Sequence, residues 1–300
     1  QFGASLAVDA LGNTVVAGYF FGSLKIGAQT LVGSVNSEIF VAKLGPTGTP
    51  LWAKQFGDAN SQRPYGVAVD GAGSIVLAGY DAGSTDFGGG GKGSGIFVAK
   101  LDTNGAHLWS RGLGGANPSP TGSSATSVAF DEAGDVIVTG SFQGSITPGP
   151  GTLSAAGSTD AFLSKLGGAS GTGIWSKAFG DGGAQGAQDV AIDDAGNIVL
   201  IVTLAGSADF GGGPLTSAGS NDLALAKFDT NGTHSWSKRY GDASSQVGSG
   251  LAVDAQGNPI VTGYFAGTLD FGGGGLASAG ANDIFVAKIS NVGTHLWSKH

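Results

Sequence analysis

The chain contains no cysteine and no methionine, and only 14 basic and 22 acidic side chains are distributed over its 300 residues. Without cysteine it has no disulfides, thiol nucleophiles or thiolate metal sites. A chain that opens on Gln1 without methionine is expected to have been processed or excised. No apolar run approaches the roughly 18 residues that span a bilayer. The longest candidate, Ile198 to Leu204, is strand-sized, so no membrane insertion is expected. The formal charge of −8 repels phosphate backbones and anionic headgroups, which argues against nucleic acid as a partner.

Glycine, in contrast, is abundant, with 58 residues. Each costs about 1 kcal/mol in a helix interior relative to alanine, so a helical fold is excluded. Disorder is excluded by a hydrophobic fraction of 41%, with 16 Phe and 5 Trp to form a core. What remains is a chain of strands and turns.

The five tryptophans, Trp52, Trp109, Trp175, Trp236 and Trp297, mark an internal repeat, spaced 57, 66, 61 and 61 residues apart. Each copy divides into four short runs rich in Val, Ile, Phe and Thr, separated by turn signals. In the fifth copy these runs lie near Gly250 to Asp254, Pro259 to Phe265, Asp283 to Ile289 and His295 to Lys299. The first two runs are joined by turns starting at Asp9, Asp70, Asp131, Asp193 and Asp254, with Gly supplying positive φ and Asp capping. Asn104-Gly105 and Asn231-Gly232 mark a second tight turn, before the Trp strand. Four antiparallel strands per copy, at about 60 residues, exceed a solenoid rung and suit an enlarged propeller blade. The expected fold is all-β, a five-bladed β-propeller of four-stranded blades over 1–300, with blades near 1–57, 58–115, 116–180, 181–241 and 242–300. Each blade is expected to come from one continuous copy, with no strand exchanged between the chain ends.

The segments GLAVDAQGNPIVTGYF and DIFVAKISNVGTHLWSK resemble the SBBP-type β-propeller repeats of bacterial secreted and surface-anchored proteins, in a glycine-rich variant carrying DFGGG and SAG. The resemblance covers essentially the whole chain. It implies a propeller and an extracellular or cell-surface setting, and no defined activity.

Most charged residues occupy repeat positions. Lys43, Lys100, Lys165, Lys227 and Lys288 end the third run of each copy, and are expected to brace the blades together with the recurring Asp residues. The turn Asp set also suggests a ring of calcium ligands, but each turn offers one or two acids where a calcium loop alternates several, which favours capping. Trp, in a recurrent LWSK-like strand, is expected to pack between blades. His107, His234 and His295 stand two residues before Trp, and are read as exposed turn residues too far apart to share a metal.

Two long loops of each copy leave the same end of its strands, and that face is the candidate binding surface. One carries DFGGG, starting at Asp86, Asp209 and Asp270; the other carries Gly-Asp followed by Gln62, Gln185 and Gln246. Asp and Gln there suit hydrogen bonding to sugar hydroxyls, while the competing reading makes DFGGG a plain hairpin turn. Lys25 stands in place of the motif Asp in the first copy and Thr147 to Gly151 replaces DFGGG in the third, which limits equivalent sites to two or three. The acids that break the symmetry, Asp81, Glu132, Asp135, Asp189 and Asp194, do not gather at one inward position as glycoside hydrolysis requires. The expected function is therefore a non-catalytic extracellular binding or scaffold module, with no cofactor unless calcium binds. Its expected partner is an extracellular protein or polysaccharide, or another copy of itself. A lectin-like propeller with repeated shallow sites is the alternative.

Overall fold

A computed structural model describes all 300 residues, and every regular element in it is a β-strand. The chain divides into two compact units, one comprising Gln1–Val138, Phe142–Ser154 and Ser164–Ser176, the other Thr139–Ser141, Ala155–Leu163 and Lys177–His300. The residues of the third copy are thus distributed between the units.

In the first unit, Phe2–Val8, Thr14–Phe20, Glu38–Leu44 and Pro50–Phe56 form a four-stranded antiparallel sheet in chain order. In the second unit, Ala184–Ile192, Ile198–Ala205, Asp222–Phe228 and His234–Tyr240 repeat that order, as do Gln246–Val253, Pro259–Phe265, Asp283–Ile289 and His295–Lys299. Strand assignment follows composition: β-branched and aromatic residues alternate between faces, and polar turns with Gly interrupt them.

Two features depart from expectation. The first strand of the fifth copy begins at Gln246 rather than near Gly250, because a bulge between Gly248 and Gly250 lets pairing continue past the irregularity. The second copy also fails to end at its fourth strand, His107–Ala116. Gly114 pairs with Ile146 and Ala116 with Gln143 of the third copy, making a larger sheet. The local reason is sequence: where the first, third and fourth copies turn at Gly57-Asp58, Gly180-Asp181 and Gly241-Asp242, the second has Gly114-Gly115 and no turn acid.

The same bulge explains a recurring glycine in the second strand. A Cβ on Gly18 would lie 2.2 Å from the Phe2 carbonyl oxygen, and one on Gly79 would lie 2.0 Å from that of Arg63. In the fourth copy the second-strand residue is Val202, and it faces the small side chain of Ala187. One of the two facing residues must be small.

Candidate functional site

The recurrent turn acid is built into each copy. Asp9 Oδ1 accepts hydrogen bonds from the backbone N–H groups of Leu11 and Asn13, at 3.0 and 2.9 Å, while its Oδ2 meets Lys43 Nζ at 2.9 Å. The same pair forms at Lys100–Asp70, Lys165–Asp131, Lys227–Asp193 and Lys288–Asp254, at 3.2, 2.7, 2.8 and 2.6 Å. The Asn13 side chain and then Lys43 hold Asp9 well below the usual carboxylate range, and Lys288 and then Asn258 do so for Asp254. With the local N–H groups and a lysine already bound, these acids are turn caps and strand braces. No cluster of three or more His, Cys, Asp or Glu suited to a metal ion occurs in the chain.

The tryptophans join successive copies within each unit. Trp52 Nε1 donates to the Thr103 carbonyl at 3.2 Å, Trp109 Nε1 to Gly168 at 2.9 Å and Trp236 Nε1 to Asn291 at 2.9 Å. Two residues later, the cation of Lys54 reaches the Gly105 carbonyl and that of Arg111 reaches Gly171, both at 2.8 Å. In each case the acceptor lies in the turn before the next copy's Trp strand.

The loop glutamines are placed differently from their predicted role at a ligand surface. Gln62, Gln185 and Gln246 are buried, and their side chains bond within the loop. Gln185 Nε2 donates to Asp181 Oδ1 at 2.8 Å, while its Oε1 accepts from the Asp181 N–H at 3.2 Å. Gln246 and Asp242 repeat the pair at the same two distances. The second carboxylate oxygen of each Asp then clamps the start of the hairpin ahead. Asp58 accepts from the Ser84 N–H, Asp181 from Ser207 and Asp242 from Thr268, at 2.7, 2.8 and 2.7 Å. The N–H groups of Gly183 and Ser244 are the first cause of the lowered Asp181 and Asp242 pKa values. Burial removes the glutamine amides from any surface contact; their task is to hold the loop.

The DFGGG segment is a hairpin tip. Asp86 Oδ1 accepts from the N–H groups of Gly88 and Gly90, both at 2.7 Å, Asp209 from Gly211 and Gly213, and Asp270 from Gly272 and Gly274. The Gly88 and then Gly90 N–H groups keep Asp86 below its ordinary pKa. All three carboxylates remain exposed, with Oδ1 taking both turn bonds.

The tip does not rise from the end of the strands as expected, but lies back along the fourth strand of its own copy. A Cβ on Gly89, Gly212 or Gly273 would stand 2.3, 2.5 or 2.0 Å from Cε1 of His107, His234 or His295. Those histidines are half-buried beneath the tip rather than exposed, and each ring nitrogen Nε2 meets a serine hydroxyl three residues on, at 3.0, 3.0 and 3.1 Å. In the first copy Pro50 takes the place under Gly27, and in the third Gly173 lies against Gly149. The co-occurrence of DFGGG with His in the second, fourth and fifth copies was the sequence signal for this contact.

A wedge that sequence reading missed is the Phe of DFGGG. Phe87, Phe210 and Phe271 are buried. Phe87 has its ring centroid 5.1 Å from both Phe56 and Phe97; Phe210 lies 4.9 Å from Phe179, and Phe271 lies 4.8 Å from Tyr240. Each contact with Phe56, Phe179 or Tyr240 is made to the end of the preceding copy's fourth strand. The hairpin is thereby fastened to two copies at once.

One acid is left without full compensation. Asp160 is buried and accepts from the Ala156 N–H at 3.0 Å, but its Oδ1 has no partner. Burial pushes its pKa up, with Ala156 opposing and Asp181 adding to the rise. At the equivalent position Asp222 faces Arg239, whereas the residue matching Arg239 in the third copy is Ala178. Asp160→Asn is expected to stabilise the protein by about 1 kcal/mol at neutral pH, since the uncompensated charge disappears while an acceptor for Ala156 remains. A raised folded-state pKa places the penalty at pH above it. The advantage of the variant should therefore shrink as pH falls through that value, and chemical denaturation at neutral and acidic pH measures it. Lower stability for the variant at neutral pH would contradict this account.

Two hollows lie at the opposite end of the strands, by the Asp turns. One of about 590 Å³ is lined by residues including Asp70, Phe130, Asp131 and Glu132. Another of about 320 Å³ in the second unit is lined by residues including Asp193, Asp194, Lys227, Gln256 and Asn291. Their paired acids are already engaged, leaving Glu132 and Asp194 as the exposed carboxylates there.

No protein-family model matches the chain, and no curated relative matches it. Among solved structures it is similar to BamB from Moraxella catarrhalis, with a TM-score of 0.46 and 14% identity over 100% of this chain and 65% of that one. It is similar to a quinohemoprotein alcohol dehydrogenase from Comamonas testosteroni, with a TM-score of 0.46 and 14% identity over 99% of this chain and 44% of that one. An exotype rhamnogalacturonan lyase, YesX, matches with a TM-score of 0.44 and 14% identity over 100% of this chain and 67% of that one. The chain spans less than two thirds of the length of the first two. Likeness of this degree says nothing about activity or ligand.

Proposed function

We propose that the five copies are four-stranded blades of a β-propeller of the SBBP type, and that the protein is a non-catalytic extracellular binding or scaffold module. The observation that carries this reading is the commitment of the recurring charged groups to internal bonds. Five Lys–Asp pairs and three Asp–Gln loop pairs brace the repeat, and the Trp strands tie copies together. Such an arrangement serves a rigid surface. Catalysis instead needs unequal groups converging on one place.

The lectin reading keeps one specific support: three exposed Asp-Gly turns of the same geometry, at Asp86, Asp209 and Asp270. A glycan array probed with calcium and again with chelator separates the two readings. A scaffold gives a blank array under both conditions. A lectin gives binding to a defined glycan class, weakened when Asp209 or Asp270 is replaced by Ala, and loss with chelator would assign calcium a role.

A further inference from the structure

A repeat lets each position be compared with its counterparts, and a single unequal site is built from the residues that break the pattern. In the first unit three such residues meet. Gln62 is followed by Arg63, where Gln1, Gln185 and Gln246 are followed by Phe2, Gly186 and Val247. The bulge in the first strand leaves one residue without a ladder partner; it is Ala4, Gln188 or Ser249 in three other copies, and Tyr65 in the second. Phe20 is followed by Phe21, where the second, fourth and fifth copies have Ala82, Ala205 and Ala266.

These residues gather around Tyr19 and Tyr80. The guanidinium carbon of Arg63 lies 4.3 Å from the centroid of the Tyr19 ring, on which Phe2 stacks at 4.9 Å and Phe21 abuts edge-on at 6.0 Å. Tyr65 has its centroid 6.0 Å from that of Tyr80, the residue paired opposite Arg63. Burial and then Tyr80 push the Tyr65 hydroxyl up to about 12, with Arg63 opposing and Tyr19 adding to the rise. Three phenols and one cation therefore share a single place.

Arg63 is the unsatisfied member. The recurring lysines find an acid, and Lys54 and Arg111 find carbonyl oxygens. Arg63 is half-buried, makes no ion pair, and its buried Nε has no acceptor. A guanidinium held out of water with a free N–H is costly unless a ligand brings the acceptor. Its planar fork matches a carboxylate through two parallel bonds, and stacking on Tyr19 fixes the direction of the fork. Tyr65 stands at a bulge, the device that re-aims a side chain out of the ladder beside a site. A phenol offers a sugar ring both an apolar face and a hydroxyl. The net charge of −8 opposes a polyanion, which restricts the ligand to one with an isolated negative charge.

We propose that Arg63, Tyr65 and Tyr19 form a single binding site for a uronate, a sugar whose carboxylate bonds Arg63 while its hydroxyls meet the Tyr65 phenol. The site rests on the binding-module reading and uses none of the exposed loop Asp residues.

Calorimetric titration of the whole chain with glucuronate, and with glucuronamide as its uncharged counterpart, tests it. Arg63→Val and Tyr65→Ser each install the residue that the fifth copy carries, so both variants should fold, which thermal unfolding checks. The parent should bind one glucuronate, and glucuronamide at least tenfold more weakly. Arg63→Val should weaken glucuronate binding at least tenfold and Tyr65→Ser severalfold, and chelator should change neither. A parent that binds no glucuronate overturns the site and leaves the scaffold reading standing. Equal binding of the two sugars overturns it, as does a folded Arg63→Val variant that binds like the parent. Binding that survives Arg63→Val and falls with chelator belongs to the hairpin turns, which also overturns this site and favours the lectin reading.

Discussion

Replacing Lys227 by Met should cost about 3 kcal/mol of folding stability, and replacing Asp193 by Ala about 5, the range found when one member of a buried ion pair is removed. The two side chains are 6% and 5% exposed and meet at 2.8 Å. The acid does more than the base. Asp193 also accepts from the N–H groups of Ala195 and Asn197, at 3.0 and 2.9 Å, so its loss removes the turn cap as well as the charge partner. Lys227→Met leaves Asp193 with those donors, which is why its cost is smaller. Denaturant titration measures both, and losses below about 1 kcal/mol would place the pair with ordinary surface bridges.

The pH dependence has a definite sign. Burial raises the pKa of Asp193, but Lys227 and Asn197 outweigh it and leave the folded value below normal. The stability that this depression contributes is present above the unfolded carboxylate pKa and is lost as pH falls through the lower, folded one. The gap between parent and Lys227→Met should accordingly be steady near neutrality and close in acid.

Phe210→Ala should cost about 3–5 kcal/mol, as for a large aromatic removed from a packed site. Phe210 is buried with its centroid 4.9 Å from Phe179, which in turn lies 5.6 Å from Phe228. The cavity would open between the hairpin and the strand it covers, so hydrogen exchange should accelerate first in Ser207–Asp209 and Pro214–Thr216. Asp209→Ala, which removes only an exposed turn cap, should cost about 1 kcal/mol. Equal losses from the two neighbouring substitutions would contradict the wedge.

Much of the chain was legible because its information is local. The Asp turns need a cap, a positive-φ glycine such as Gly12 or Gly196, and flanking strand formers, all within a few residues. The Lys–Asp pairing was readable too, since both members recur at fixed places in every copy. The loop glutamines were misjudged for a physical reason: a polar side chain in a Gly-rich loop looks available, and only the position of Asp181 or Asp242 shows that it is bonded inward. The His residues failed likewise, because a hairpin tip far along the chain covers them.

By itself, the sequence determined the all-β class, the number of copies and the chemistry of each turn, because strand period and turn geometry are set by neighbours in the chain. Only the tertiary structure decided which repeated side chains reach solvent. Trp109 and Trp236 are the same residue in the same motif, one buried and the other partly exposed. Burial depends on what lies against the sheet face, and a strand's own residues carry no record of that.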